Sequence, residues 1–273
     1  MNLDLYQYYK DINYKSQSQI SRAVTESWVS ENLYCPNCGR DLLRYRTGMP
    51  VYDFYCDHSD SRTHAPARSF VSNADNFQLK SQAVPIFRYI LGAEYNKAIL
   101  SLRAGNFPSL ILLHYNLNEK IVNDVEFVHK AVITQSCIIP RNPLSENAKR
   151  KGWQGFKIDL SRIPNIGRIK VVSNKSIKNK SDVMAEWKRV SYMVQGDVYE
   201  RSWISDVMTC LEELPTNFTL SDAYKFEEKL KSLHPNNKHV KDKIRQQLQL
   251  LRNRNIIKFE GEGVYSKVKY ILK

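Results

Sequence analysis

The sequence predicts a mixed α/β (α+β) core followed by a mostly α domain. Three observations carry that expectation. Short apolar strands gather between residues 51 and 139, a Cys-x-x-Cys turn at Cys35 and Cys38 with a third thiol at Cys56 stands at their front, and beyond residue 182 apolar residues recur at helical spacing. We place the boundary between 181 and 182, which gives a core of residues 1–181 and a second domain of residues 182–273. A chain of 273 residues is long enough for two such domains.

The net charge of +13, from 41 Lys+Arg against 28 Asp+Glu, points to a polyanionic partner, nucleic acid before membrane. The start Met1-Asn2-Leu3-Asp4 lacks a basic segment followed by an apolar run, and no apolar stretch is long enough to span a bilayer. With an odd count of five cysteines, these features lead us to expect a reduced cytoplasmic compartment, where a Cys-x-x-Cys pair serves a metal or redox chemistry rather than a disulfide.

Tyr14 to Asn32 contains neither Pro nor Gly, and Ile20, Ala23, Val24, Ser27 and Trp28 fall at helical spacing, so a helix is expected there. Glu26 lies on it, either as a carboxylate directed at a metal or as a solvated one. Cys35-Pro36-Asn37-Cys38-Gly39 then reads as a zinc-knuckle turn, in which backbone N–H groups point at sulfur and Gly39 permits the turn conformation. A thioredoxin-like redox pair is the alternative, but it would open a helix within a βαβ pattern that the sequence does not show. Cys56 supplies a third ligand. The position where a second Cys-x-x-Cys would close the shell is Ser59, a poor zinc ligand, which leaves His58 or His64 to complete it.

Val51-Tyr52-Asp53-Phe54-Tyr55 and Asn76-Phe77-Gln78-Leu79-Lys80 both read as short strands. Gln78 and Lys80 are two apart and share one face, while Leu79 faces the core; antiparallel pairing would bring Asp53, Gln78 and Lys80 together. Asp53, the Gln78 side-chain oxygen and the Leu79 carbonyl form a hard-oxygen set suited to Mg2+, and Lys80 would lower the pKa of an attacking water or neutralise charge on a phosphorane-like transition state. The other reading is an ordinary surface strand.

Residues 84 to 140 are expected to supply the rest of that sheet. Pro85 to Ile90 suits a helix start or a strand, Ser109 to Tyr115 is a buried strand by its unbroken apolar run, and His114 and Cys137 read as core or strand-end residues. Lys149-Arg150-Lys151-Gly152-Trp153-Gln154-Gly155 places three cations before a tryptophan between glycines, either a loop that contacts phosphates and stacks on a base or a loop anchored by a buried Trp. Asn174 to Asp182 reads as a linker or exposed turn. Helical patterns follow at Val183 to Val194, Trp203 to Leu214 and from Thr219 onward. Lys238 to Asn253 is the longest, with Val240, Ile244, Leu248 and Leu251 inward and Lys241, Arg245, Gln246, Gln249 and Arg252 on the polar surface. Ile256 to Tyr265 closes the chain as a β-hairpin with glycines at its turn. Helices followed by a hairpin is winged-helix order, in which the long helix enters the major groove, Gln suits adenine and Arg suits guanine or phosphate.

Tyr34-Cys35-Pro36-Asn37-Cys38-Gly39, Asp53-Phe54-Tyr55-Cys56, Leu79-Lys80-Ser81, Gly152-Trp153, Ile158-Asp159-Leu160-Ser161, Gly167-Arg168-Ile169 and the run Lys243 to Gln249 keep their order across nearly the whole chain. Together they resemble the DpnI-like family of methyl-directed (type IIM) restriction endonucleases of the PD-(D/E)xK superfamily. The resemblance implies a PD-(D/E)xK catalytic domain braced by a zinc knuckle, then a winged-helix domain. It implies cleavage of double-stranded DNA at adenine-methylated GATC sites with Mg2+, sensing of methylated DNA by both domains, and contact with DNA at Lys149, Arg150, Lys151 and Trp153 and at Lys241, Arg245, Gln246 and Gln249. We expect a monomer with Asp53, Gln78 and Lys80 as the catalytic set. Gln78 stands where the family has an acidic residue and Ser59 where it has a fourth cysteine, and Ser59 to about Asn76 looks like an inserted polar loop. The missing negative charge weakens Mg2+ binding, so a methylated-DNA-binding protein or regulator that does not cleave is the alternative. A zinc-dependent redox protein is the third reading.

Overall fold

The computed structural model describes residues 1–10, 12–45, 52–56, 75–83, 88–193 and 196–268. The expectations for Val51, His58, Ser59, His64, the inserted loop up to residue 74 and Pro85 to Phe87 lie outside these residues. The chain forms two compact units that interleave in sequence: Met1–Phe87, Phe107–Lys130 and Ile169–Lys188 make the first, and Arg88–Asn106, Ala131–Arg168 and Arg189–Lys273 the second.

In the first unit, helix α1 (Gln17–Asn32) buries Val24, Thr25, Glu26, Trp28 and Val29. Strands β1 (Leu43–Arg44), β2 (Phe54–Cys56) and β3 (Asp75–Gln82) follow. The next described elements, β4 (Tyr89–Gly92) and α2 (Tyr95–Arg103), belong to the second unit; the chain then returns as β5 (Ser109–Asn116) and β6 (Ile121–Val128). Of the strands after these, β7 (Ile138–Pro140) and β8 (Phe156–Asp159) lie in the second unit, while β9 (Arg168–Ser173) and β10 (Ser176–Ile177) complete a seven-stranded sheet in the order β1-β2-β3-β5-β6-β9-β10. In that sheet β3 runs parallel to β5, Phe77 opposite Ser109 through Gln82 opposite His114. Parallel neighbours need a long crossover, which here carries β4 and α2.

The core beside this sheet is aromatic. Phe77 lies 5.9 Å from Phe127 and 6.0 Å from Trp187 of helix α3 (Lys180–Met193), centroid to centroid, and Phe127 meets Trp187 edge-on at 5.9 Å. The apolar run of β5 is buried from Ser109 to Leu113, as a strand covered on both sides requires. His114 is hydrogen-bonded to Asp124 at 2.8 Å and Cys137 is fully buried, so both are structural.

The second unit contains the sheet β4-β8-β7, whose long β7–β8 connection holds the Lys149 to Gly155 segment. It continues into α4 (Val198–Glu212), β11 (Asn217–Thr219), α5 (Leu220–Tyr224), α6 (Glu227–Leu233), α7 (Val240–Asn253), β12 (Ile257–Gly261) and β13 (Val264–Lys267). A capping box between Thr219 and Asp222 starts α5, and Gly261 and Gly263 take φ of +104° and +76° in the hairpin turn. Asp206 of α4 is the polar hub, accepting from Ser136 Oγ at 2.7 Å and bonding His234 Nε2 at 2.9 Å. Among the described residues, no helix is long and apolar enough to cross a membrane.

The structure adds detail at three places. Residues 84–140 do not all extend one sheet, because β4 and β7 pair with β8 rather than with β5 or β6. Of the two readings of Asn174 to Asp182, linker or exposed turn, the turn holds at Asn174 and Lys175, which at φ of +48° and +64° lead β9 into β10, and α3 begins at Lys180. Strand β11, three residues long, is too short to show a period of two, yet it pairs with β13 beside the hairpin.

Replacing Trp187 by Ala removes the ring that Phe77, Phe127 and His129 pack against. Urea unfolding should show a loss of about 3–5 kcal/mol; a change under about 1 kcal/mol would mean the site refills and the aromatic cluster is not the core of this unit.

Candidate active site and metal centre

The β2–β3 pairing positions the candidate site. Phe54 opposes Phe77, Tyr55 opposes Asn76 and Cys56 opposes Asp75, and both phenylalanines are fully buried. Antiparallel pairing in this register fixes which side chains share a face, because a one-residue slip would send Phe54 and Phe77 to the wrong side. Asp53 precedes β2. Its backbone N–H donates to the Phe77 carbonyl at 2.9 Å, and its carboxylate Oδ2 accepts from the Leu79 N–H at 2.8 Å. The hairpin thereby clamps Asp53 against the Gln78–Lys80 segment from two directions.

Asp53 and Lys80 sit close enough to bias each other's charge. Burial holds the Asp53 carboxyl above its ordinary range; the Leu79 N–H works against that rise, the Glu26 carboxylate adds to it, and Arg22 and Lys80 oppose it. For Lys80, burial pushes the ammonium pKa down, Asp53 resists, and Arg22 adds to the depression. Gln78 lies on β3 between them in sequence, half-buried, two residues from Lys80 and so on the same face of the strand.

Helix α1 adds Arg22 and Thr25, which the sequence reading did not single out, beside Glu26, which it did. Glu26 is only 4% exposed rather than solvated, and it is held by Arg22 Nε one turn earlier and by Arg44 on β1. A terminal nitrogen of Arg22 also lies 3.7 Å from Asp53 Oδ1. Thr25 Oγ1 donates to Ser81 Oγ at 2.9 Å, which ties the helix to β3 one residue past Lys80. The Arg22–Glu26 spacing of four residues was the available signal.

The thiols gather as the spacing implies. One ligand atom from each of Cys35, Cys38 and Cys56 lies within 4.8 Å of the other two, and Cys38 Sγ is 3.4 Å from Cys56 Sγ. Gly39, at φ +78°, returns its N–H to the Cys35 carbonyl at 2.7 Å, which closes the turn. The Cys56 thiol donating to Cys35, followed by backbone N–H groups of Cys38 and Asn37, lowers the Cys35 thiol to about 6 against burial. The same proton sharing raises Cys56. A lowered thiol among clustered sulfurs is what a soft cation needs.

Lys149, Arg150 and Lys151 are exposed, and the Arg150 guanidinium lies 5.2 Å from the Trp153 ring centroid. Trp153 is half-buried, with its carbonyl accepting from the Leu144 N–H at 2.9 Å. On α7, Lys241, Arg245, Gln246 and Gln249 are exposed while Val240, Ile244, Leu248 and Leu251 are buried, as are the side chains of Gln247. Arg245 donates to the Tyr224 hydroxyl at 3.0 Å and Lys241 pairs with Glu227 at 3.3 Å.

A mixed α/β core with a three-cysteine cluster, followed by a C-terminal helical domain of helix-turn-helix type, is the plan of a DNA-acting protein. The chain belongs to the DpnI, Dam-replacing family, the DpnI-like methyl-directed restriction enzymes that its motifs resemble: the family model spans residues 1–195, and that of the Dam-replacing HTH domain spans residues 199–267.

The shifts at Asp53 and Lys80 set a pH test. A carboxyl whose folded pKa is raised binds more protons in the folded state than in the unfolded one above pH 3.8, so its ionisation weakens the fold as pH rises through that range. A lysine whose folded pKa is lowered weakens the fold while charged and recovers as pH approaches 10.5. Asp53→Asn should therefore melt higher than the parent at pH 7 and equal to it near pH 3. Lys80→Met should melt higher at pH 7, with the gap closing toward pH 10.5. Equal melting of both variants and parent at pH 7 would contradict the desolvation of the pair.

Proposed function

We propose that this protein is a type II, methyl-directed endonuclease that cuts double-stranded DNA at adenine-methylated GATC sites by Mg2+-dependent phosphodiester hydrolysis, with a PD-(D/E)xK core. The observation that carries the reading is the Asp53 carboxylate, clamped by the Leu79 N–H at 2.8 Å and in charge contact with Lys80, in a chain of this family. In this reading residues 1–181 cut and residues 182–273 form a winged helix that reads sequence. Three thiols at Cys35, Cys38 and Cys56 hold a structural Zn2+, and the enzyme works as a cytoplasmic monomer.

The donor set fits Mg2+. Asp53, the Gln78 side-chain oxygen and the Leu79 carbonyl are hard oxygens, and the repulsion that Glu26 exerts on the Asp53 carboxylate is what a divalent cation relieves. When bound, Mg2+ supplies charge for the scissile phosphate and acidifies an attacking water. The chain's own groups do the rest. Asp53 stays oriented through the Leu79 N–H. Lys80, its pKa depressed by burial, stands ready to exchange a proton with the attacking oxygen or to offset charge on the phosphorane-like transition state. Arg22 and Arg44 hold the Glu26 side chain in place by ion pairs.

DNA is engaged from two places. Lys149, Arg150 and Lys151 meet phosphates while Trp153 stacks on or wedges against the methylated base. Arg245, Gln246 and Gln249 face base edges from α7, and Lys241 meets the backbone. A methylated-DNA binder that does not cut is favoured by one observation, the neutral amide of Gln78 in place of a carboxylate.

Incubating adenine-methylated and unmethylated GATC plasmids with Mg2+ separates the two. Cleavage of the methylated plasmid alone supports the nuclease, whereas intact plasmid with a methylation-dependent gel shift supports the binder. In the nuclease, Lys80→Ala should lower cleavage by about 100-fold or more while keeping the gel shift. Gln78→Glu should restore a negative charge and lower the Mg2+ concentration for half-maximal cleavage. Arg245→Ala should cost about 1–3 kcal/mol of specific binding, read by titration with and without the GATC site.

A further inference from the structure

We infer that Asp75 supplies the fourth ligand, a carboxylate oxygen, to a zinc ion held by Cys35, Cys38 and Cys56. The inference rests on the zinc reading above and completes its shell with a residue of this chain. Asp75 opens β3 directly opposite Cys56, the last residue of β2, and directly opposed residues in an antiparallel pair point to the same face. Its Oδ2 is 3.9 Å from Cys35 Sγ. In a tetrahedral site with Zn–S near 2.3 Å and Zn–O near 2.1 Å, sulfur and oxygen ligands stand about 3.6 Å apart, so the carboxylate is already at ligand-edge distance from one thiol.

Asn37, inside the knuckle turn, donates from Nδ2 to the same Asp75 oxygen at 3.1 Å. A carboxylate ligand held by an outer hydrogen bond is the usual arrangement around zinc, because the second partner fixes its direction. The sequence supplies the reason for the substitution. Ser59, where a second Cys-x-x-Cys would close, cannot offer a thiolate. Cys56 and Asp75 face each other across β2 and β3, so one ion at their junction would preserve the strand register on which Asp53 depends. Three thiolates and a carboxylate are all oxygen or sulfur anions that tetrahedral Zn2+ accepts, and their combined negative charge favours a divalent cation.

The test uses the full chain expressed with zinc and measures metal content, chelator competition and the spectrum of the Co2+-substituted protein. The parent should hold one zinc per chain, and Asp75→Ala should weaken it by about 100-fold or more, since losing even an outer partner costs 10–100-fold. Asp75→Cys should keep the metal and raise the thiolate-to-Co2+ absorbance by about a third, from three sulfurs to four. That gain is readable even if Asp75→Ala does not fold. Zinc held as tightly in Asp75→Ala as in the parent, with release in His58→Ala or His64→Ala, or an unchanged Co2+ spectrum in Asp75→Cys, would overturn Asp75 as the ligand and leave the thiol site standing. A parent that binds neither zinc nor Co2+ would overturn the zinc reading itself.

Discussion

The pairing of β2 with β3 is the constraint on which the rest depends. It sets Phe54 against Phe77 in the core and Cys56 against Asp75 at the knuckle, and it brings the Asp53 main chain and carboxylate onto Phe77 and Leu79. Alternation along β3 then assigns Phe77 and Leu79 to one side and Gln78 and Lys80 to the other. One register therefore serves a core, a thiol cluster and a candidate catalytic pair. A slip of one residue would lose all three, which explains why the phenylalanines that lock it are fully buried.

That register holds charges where water is scarce. Asp53 is raised and Lys80 lowered chiefly by burial, so each is less stable in its charged form than a free residue would be. Such opposed shifts in neighbouring groups are typical of sites kept for chemistry rather than stability. Glu26 is buried beside them. Its carboxylate is matched by Arg22 from its own helix and Arg44 from a neighbouring strand, because a buried carboxylate without partners would be costly.

Much of this was legible in sequence, for identifiable reasons. Spacing alone placed the knuckle at Cys35 and Cys38, the strand carrying Gln78 and Lys80, and the long helix ending at Asn253, since each rests on a local period or turn. What local pattern does not carry is partnership across the chain. Nothing near Glu26 announces that Arg44 will reach it, and nothing in Tyr89 to Gly92 says that this strand joins β8 instead of β5. The parallel β3–β5 pair demands a crossover, and that crossover is spent on elements of the other compact unit, which is how both units come to be built from alternating segments. Long-range pairing of this kind is set by packing, not by propensity.

The charge count around Asp53 gives Gln78 a physical meaning. Asp53 and Glu26 contribute two negative charges, while Arg22, Arg44 and Lys80 contribute three positive ones, so the assembled groups are net positive by one. An acidic residue at 78 would have made the same set neutral. With an amide there, the proposed Mg2+ site would keep its oxygen donors but lack the negative field that draws a divalent cation in. It favours a phosphate instead. Such a site is expected to gain its metal together with the DNA backbone, whose own oxygens supply the missing charge, so substrate binding and metal binding become linked in free energy. In the proposed nuclease, Gln78 would then make Mg2+ occupancy conditional on DNA being in place.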